Sequence, residues 1–169
     1  MRKRARVVSR VVLLLAVLLG GSLVSRVWAG LTEGIAAYLG GDYTTAYREF
    51  LPLAEQGHVL AQTSLGFMYR EGRGAPQDDT IAVIWFRKAA EQGHALAQAS
   101  LGVMYTLGQG VPQNYVQAHV WFNLAASELP PGTGRDMAVR HRDLVAAKMT
   151  RAQLAEAQRR AREWRPKSP

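Results

Sequence analysis

Two histidines, His58 and His94, recur 36 residues apart within the string "EQGH", and two glycine turns, "GRG" at Gly72–Gly74 and "GQG" at Gly108–Gly110, recur at the same interval. These residues have the types and spacing for chemistry: metal ligation by the imidazoles, phosphate cradling by the turns. Their context argues against both. Two histidines without acidic partners at ligand spacing read as helix-entry or packing residues. Each glycine turn follows a helical pattern instead of a strand, lacks a third glycine and is not followed by Lys-Ser/Thr. Cysteine is absent, which removes thiolate nucleophiles and zinc–thiolate sites. No "HExxH", no "GxSxG" and no carboxylate pair within one pocket-forming segment occurs, and Ser64 and Ser100 fall among small packing residues. The sequence predicts no catalytic residue, no metal site and no cofactor.

The elements that carry these residues are repeated. Glu55–Ala90 and Glu91–Ala126 align without a gap, identical at 21 of 36 positions. Self-similarity at a fixed period outranks local propensity in reading a fold. In the same frame Asp42, Ala46, Phe50 and Ala54 match Asp78, Ala82, Phe86 and Ala90, so Ile35–Gly57 reads as a truncated first copy. Each copy predicts two helices. In helix A, from Leu60 to Glu71, Ala61, Leu65, Met68 and Tyr69 recur at helical spacing, and Ala61 and Gly66 are small enough to admit a neighbouring helix. Gly72 closes it and Pro76 keeps the loop from continuing it. Asp78, matched by Asn114 and Asp42, is placed to cap helix B, which carries Ala82, Trp85, Phe86, Ala89 and Ala90 along one side. Neither pair buries its apolar face alone, so the copies must stack. The expected fold is all-α: a right-handed solenoid of antiparallel helix pairs, about two and a half repeats of 36 residues, with a C-terminal helical cap.

The strings "AEQGHALAQASLGVMY", "GQGVPQNY" and "AHVWFNLAA" resemble the Sel-one-like repeat (SLR), a longer relative of the tetratricopeptide repeat. The resemblance covers Leu31 to about Ala126, and "MTRAQLAEAQRRAREW" from Met149 to Trp164 is similar to the C-terminal helix of many small exported bacterial members. It implies a non-catalytic scaffold or adaptor between proteins, often in the bacterial envelope. The first copy departs from the family in lacking most of the "LAQxxLGxMY" pattern. The third departs in carrying "SELPPGTG", Ser127–Gly134, where a regular copy would continue with "xxGH".

The aromatic set Tyr69, Trp85, Phe86, Tyr105, Trp121 and Phe122 recurs on the stacking faces and reads as core. A sugar-stacking platform would have to use Tyr38, Tyr43, Tyr47 or Tyr115, which lie outside that set, and direct glycan binding as a cell-wall or exopolysaccharide accessory is the alternative function. Within helix A the two copies differ at Val59, Thr63, Phe67 and Arg70 against Ala95, Ala99, Val103 and Thr106, steps of 4, 4 and 3 that place all four on one stripe. A constant scaffold with a varied, mildly apolar stripe suits a groove for a partner peptide or helix, so these eight are the candidate partner-binding residues. Neutral drift on an exposed face is the plain alternative.

The formal charge of +8 is unevenly spread. Six basic residues lie in the first 29 positions around "VVLLLAVLL", Val11–Leu19, and "VWA" at Val27–Ala29 completes the layout of an export signal cleaved before Gly30. The rival is an uncleaved anchor, although the 14 residues from Val11 to Val24 fall short of the roughly 20 a span needs. The remaining 15 basic and 13 acidic residues leave +2. Gly30–Gly134 carries −4 and Arg135–Pro169 carries +6, with Thr150 and Gln153 set for a capping box and Leu154, Ala157, Ala161 and Trp164 on one side. That stripe suits docking on the last repeat. The organisation read here is 1–29 signal peptide, 30–134 repeat solenoid and 135–169 cap and tail. The expected location is the periplasm or envelope, with membrane contact only through an uncleaved N-terminus. Glu156 and Glu163 offer partners to Arg160 and Arg159, so the basic tail reads as a solvated helix face and no nucleic-acid partner is expected.

Overall fold

The computed structural model describes residues 27–167, and the basic and apolar stretches of the expected export signal, upstream of Val27, lie outside them. Among the described residues are eight α-helices and no strand: α1 (27–40), α2 (Tyr43–Glu55), α3 (Val59–Glu71), α4 (Asp79–Glu91), α5 (Ala95–Leu107), α6 (Tyr115–Glu128), α7 (Thr133–Ala146) and α8 (Arg151–Glu163). From α2 to α6 each helix packs on its successor, and α8 turns back onto α6. The result is a helical-repeat solenoid with α1, α3 and α5 as A helices and α2, α4 and α6 as B helices.

Side chains set the helix ends where the sequence places them. Asp42, Asp78 and Asn114 each accept a 3.0 Å bond from the backbone N–H three residues on, which satisfies an amide the helix itself leaves free. Gly72 and Gly108 close α3 and α5 in the left-handed region, at φ 66° and 73°, and donate to the carbonyls of Met68 and Met104. Thr150 and Gln153 form both bonds of the capping box that opens α8.

What holds A to B within a copy is a glycine facing a phenylalanine. A Cβ on Gly34, Gly66 or Gly102 would stand 2.6–2.7 Å from the ring of Phe50, Phe86 or Phe122, and all three rings are buried. The phenylalanines are spaced 36 and 36, whereas the glycines are spaced 32 and 36. The truncation of the first copy therefore sits in its loop, where Gly40 to Asp42 spans what Gly72 to Asp78 spans in the second. Its helix A is present as α1, offset by four residues from the 36-residue frame.

Between copies the tie is a buried glutamine. Gln62 and Gln98 donate to the carbonyls of Ala54 and Ala90, the last residues but one of the preceding B helices, at 3.0 and 3.2 Å. Gln92 donates in turn to the Gln62 side-chain oxygen at 2.8 Å. Position 128 holds Glu where that frame would need a second Gln92, and the buried Gln98 Oε1 has no partner.

The stripe of α8 faces inward: Ala157 and Ala161 are buried in the same cluster as Trp121 and Leu124 of α6, with Trp164 packed against it. The chain then runs back to the end of α4, where Lys167 donates its backbone N–H to the Glu91 carbonyl (2.7 Å) and pairs with the Glu91 carboxylate (2.9 Å). Along the outer face of α8, Arg160–Glu156 (2.6 Å) and Arg159–Glu163 (3.0 Å) are the pairs the spacing predicts.

Candidate functional site

The candidate residues of helix A divide by depth. Thr63 is buried, and its hydroxyl bonds the Val59 carbonyl and His94 Nδ1, both at 2.9 Å. Val59 packs against the core cluster that α4, α5, α6 and α8 share. Thr106 donates to the Gly102 carbonyl at 2.7 Å, and Ala95 lies half-buried at the start of α5. The other four, Phe67, Arg70, Ala99 and Val103, meet in one place: they line an open trough of about 300 Å³ between α3, α5 and α7.

That trough is built by periodicity. Leu96, Ala99, Ser100 and Val103 project from α5 at i, i+3, i+4 and i+7, and Gly134, Met137, Ala138 and His141 do the same from α7. Phe122 and Leu129 complete the lining. The cleft stays open because α7 packs on α6 and not closely on α5, while Ala99, Ser100, Gly134 and Ala138 are too small to fill it. Only Ala138 and Val145 of α7 are buried, and Met137 and Leu144 remain 48% and 65% exposed, a large apolar presentation for a 14-residue helix. Phe67 is the ridge between this trough and a second depression of about 230 Å³ lined by Ile35, Tyr38, Leu39, Phe50 and Ser64. It stands edge-on to Phe86 with ring centroids 5.0 Å apart, so it supports the core as well as the surface. The "SELPPGTG" departure hid α7 from the repeat pattern, so sequence reasoning placed Met137 and His141 in the cap and missed them as trough residues. The i, i+3, i+4, i+7 spacing from Gly134 is the signal that would have found them.

The remaining candidates are accounted for by structure. His94 is bonded to Thr63, and burial lowers its pKa. Among the described residues no group of three or more His, Cys, Asp or Glu side chains could hold a metal ion. Tyr47 and Tyr69 share a 2.7 Å hydroxyl bond, with burial first and that bond second pushing Tyr69 up to about 12. Tyr38 and Tyr43 stack edge-on beneath Arg73, and Lys148 stands over Tyr115. The tyrosines a sugar would need are thus all half-buried and engaged. Trp85, Phe86, Trp121 and Phe122 are buried, and Tyr69 and Tyr105 pack against the core.

The Sel1 repeat family model matches residues 59–94 and 95–128, the α3–α4 and α5–α6 pairs. The chain carries two Sel1 repeats. Among solved structures it is similar to a protective antigen of uropathogenic Escherichia coli displaying an SLR fold: 31% identity, TM-score 0.74, over 82% of this chain and 29% of that one. It is similar also to a Sel1 repeat protein from Oxalobacter formigenes, at 30% identity and TM-score 0.62, over 81% of this chain and 54% of that one. The chain spans under a third of the first relative and about half of the second. No curated protein matches the sequence. Sel1 repeats serve generally as protein–protein interaction modules, and the trough is one unfilled apolar surface among the described residues. No helix among the described residues is long and apolar enough to cross a membrane.

Proposed function

We propose that this chain is a non-catalytic adaptor that holds a segment of another protein in the trough between α3, α5 and α7. One observation carries the reading: two helical stripes of small and apolar residues face each other across a cleft that the chain's own side chains leave empty. Apolar surface of that kind, rimmed by polar residues, marks interaction sites on soluble proteins. A charge at Val103 or Met137 would be buried against the apolar partner and is costly there, while both positions are partly solvated in the free protein. Val103→Glu and Met137→Glu should therefore abolish partner recovery in affinity purification and leave the melting temperature within a few degrees of wild type. Full recovery with both folded variants would remove the trough from the account.

The proposed setting is the bacterial envelope, reached through the export signal at 1–29, with 30–134 as the working solenoid and 135–169 as its cap. Cleavage before Gly30 would fall within α1 and leave Leu31, Gly34 and Ile35 in place for packing on Phe50. N-terminal sequencing of envelope material should read Gly30 first. An intact Met1 in the membrane fraction would replace export with anchoring. The non-catalytic reading is supported by the two Sel1 repeats, which typically serve as non-catalytic scaffolds.

A further inference from the structure

The trough is polarised, and its polarity describes the occupant. Its lining holds one guanidinium, Arg70, and one imidazole, His141, and no carboxylate. Arg70 is loosely committed. Among the described residues its one carboxylate partner is Glu71 at 3.5 Å, and that carboxylate is held more closely by Arg73 (3.1 Å) and by the Tyr38 hydroxyl (3.3 Å). The Arg70 guanidinium lies over the Phe67 ring, 5.0 Å from its centroid, which positions the fork without using its N–H donors. His141 stacks on Phe122 at 5.3 Å and 17° and is itself exposed. Ser100, the other polar side chain in the lining, already donates its hydroxyl hydrogen to the Leu96 carbonyl at 2.9 Å. The uncommitted hydrogen-bond donors of the lining side chains are therefore the Arg70 guanidinium and the His141 ring.

These donors share one end. Alternate helices of a stacked antiparallel array run the same way, so α3, α5 and α7 are parallel. Arg70 and His141 lie toward the C-terminal halves of α3 and α7 beside Val103, while Leu96, Leu129 and Gly134 lie at the other end. Leu96 to Val103 is seven helical residues, a run of about 10 Å at 1.5 Å per residue. A cavity of about 300 Å³ is at the bottom of the range for ligand pockets, which leaves room for one or two apolar side chains and none for a whole helix.

Resting on the trough reading above, we infer that the occupant is an acidic apolar segment of a partner protein: a bulky aliphatic or aromatic anchor seated against Leu96, Leu129 and Met137, with an Asp or Glu about 10 Å away on Arg70 and His141. That distance is about three residues of extended chain or seven of helix. Charge complementarity chooses the sign. A carboxylate delivered here meets a guanidinium able to bind it through two N–H groups, whereas a lysine or arginine would be desolvated beside like charge.

The test is selection of a phage-displayed random 16-residue peptide library on the full described chain, wild type and Arg70→Glu in parallel, followed by binding titrations of the winners. Wild type should enrich peptides pairing a large apolar residue with Asp or Glu at one of those spacings. Arg70→Glu should enrich Lys or Arg at the acidic position and bind the wild-type winners at least tenfold more weakly. His141→Ala should weaken them several-fold, and matching melting curves establish that each variant is folded. Winners without an acidic residue, or equal binding by Arg70→Glu, overturn the inference. Met137→Glu separates the two levels: loss of those same winners keeps the trough while rejecting its charge preference, whereas unchanged binding to Met137→Glu rejects the trough as well. Failure to enrich any peptide counts against both.

Discussion

Replacing Gly66 by alanine should destabilise the protein although alanine is the better helix former. An added Cβ would lie 2.6 Å from two ring carbons of Phe86 and 2.9 Å from a third, closer than real Cβ contacts come. Phe86 is fully buried, with Phe67 packed edge-on against it, so the ring has no free direction in which to yield. Overpacking of this kind costs about 1–3 kcal/mol. The three close contacts put Gly66 toward the upper end, and roughly 1 kcal/mol returns from helix propensity. The net loss is about 1–2 kcal/mol, a fall in melting temperature of about 2–8 °C for a domain of this size. Gly40 supplies the control, since a Cβ there meets nothing within 4 Å and its φ is not positive. Gly40→Ala should gain up to about 0.5 kcal/mol through the unfolded state. Differential scanning calorimetry of Gly34→Ala, Gly66→Ala, Gly102→Ala and Gly40→Ala reads all four. A Gly66→Ala protein melting at or above wild type would refute the glycine–ring account of the repeat, and a Gly34→Ala protein unlike Gly66→Ala would refute α1 as the first helix A.

Trp121 is 8% exposed in the main core cluster, so Trp121→Ala should cost about 3–5 kcal/mol in chemical denaturation. Trp121→Phe should cost markedly less, because the buried indole Nε1 has no hydrogen-bond partner to lose. Acid should weaken the fold near neutrality through His94 and His119. Burial lowers both pKa values, and for His119 the nearby Arg142 adds to the effect while Asp143 opposes it. With folded values below the unfolded value of about 6.5, their stabilisation is fully present above that pH and is lost as pH falls toward the folded values. Melts at pH 7.5 and 5.5 should show the drop, and His119→Gln should reduce it; an unchanged melting temperature would contradict the burial of both rings.

The period, the caps and the core were legible because they depend on residue types that repeat. Asp78 and Asn114 are interchangeable caps, and Phe86 and Phe122 are the same residue 36 positions apart, so comparing two copies isolates them. The identity of α1 was hidden by a four-residue deletion in a loop, which shifts the frame of everything before it while leaving Gly34 on Phe50. The inter-copy role of Gln62 and Gln98 was visible as identity but not as geometry, since a buried amide and an exposed one look alike in sequence. The varied stripe was read as one surface. In its upper half Thr63 bonds His94 of the next copy and Val59 packs on the core, and its lower half meets α7 residues that no repeat pattern marks. A trough whose α5 and α7 sides lie 38 residues apart becomes readable only when the stacking that joins them is known.

The most direct test places a photocrosslinking amino acid at Met137, in the trough, and at Ile84, an exposed position of helix B in α4, and irradiates cells expressing each protein. Mass spectrometry of the adducts then gives both the partner and the residue attached. The account predicts a discrete adduct from Met137, competed by an acidic apolar peptide and mapping to a segment with a bulky apolar residue near Asp or Glu, with no equivalent from Ile84. An adduct from Ile84 with none from Met137 would place the working surface on the opposite face and contradict it.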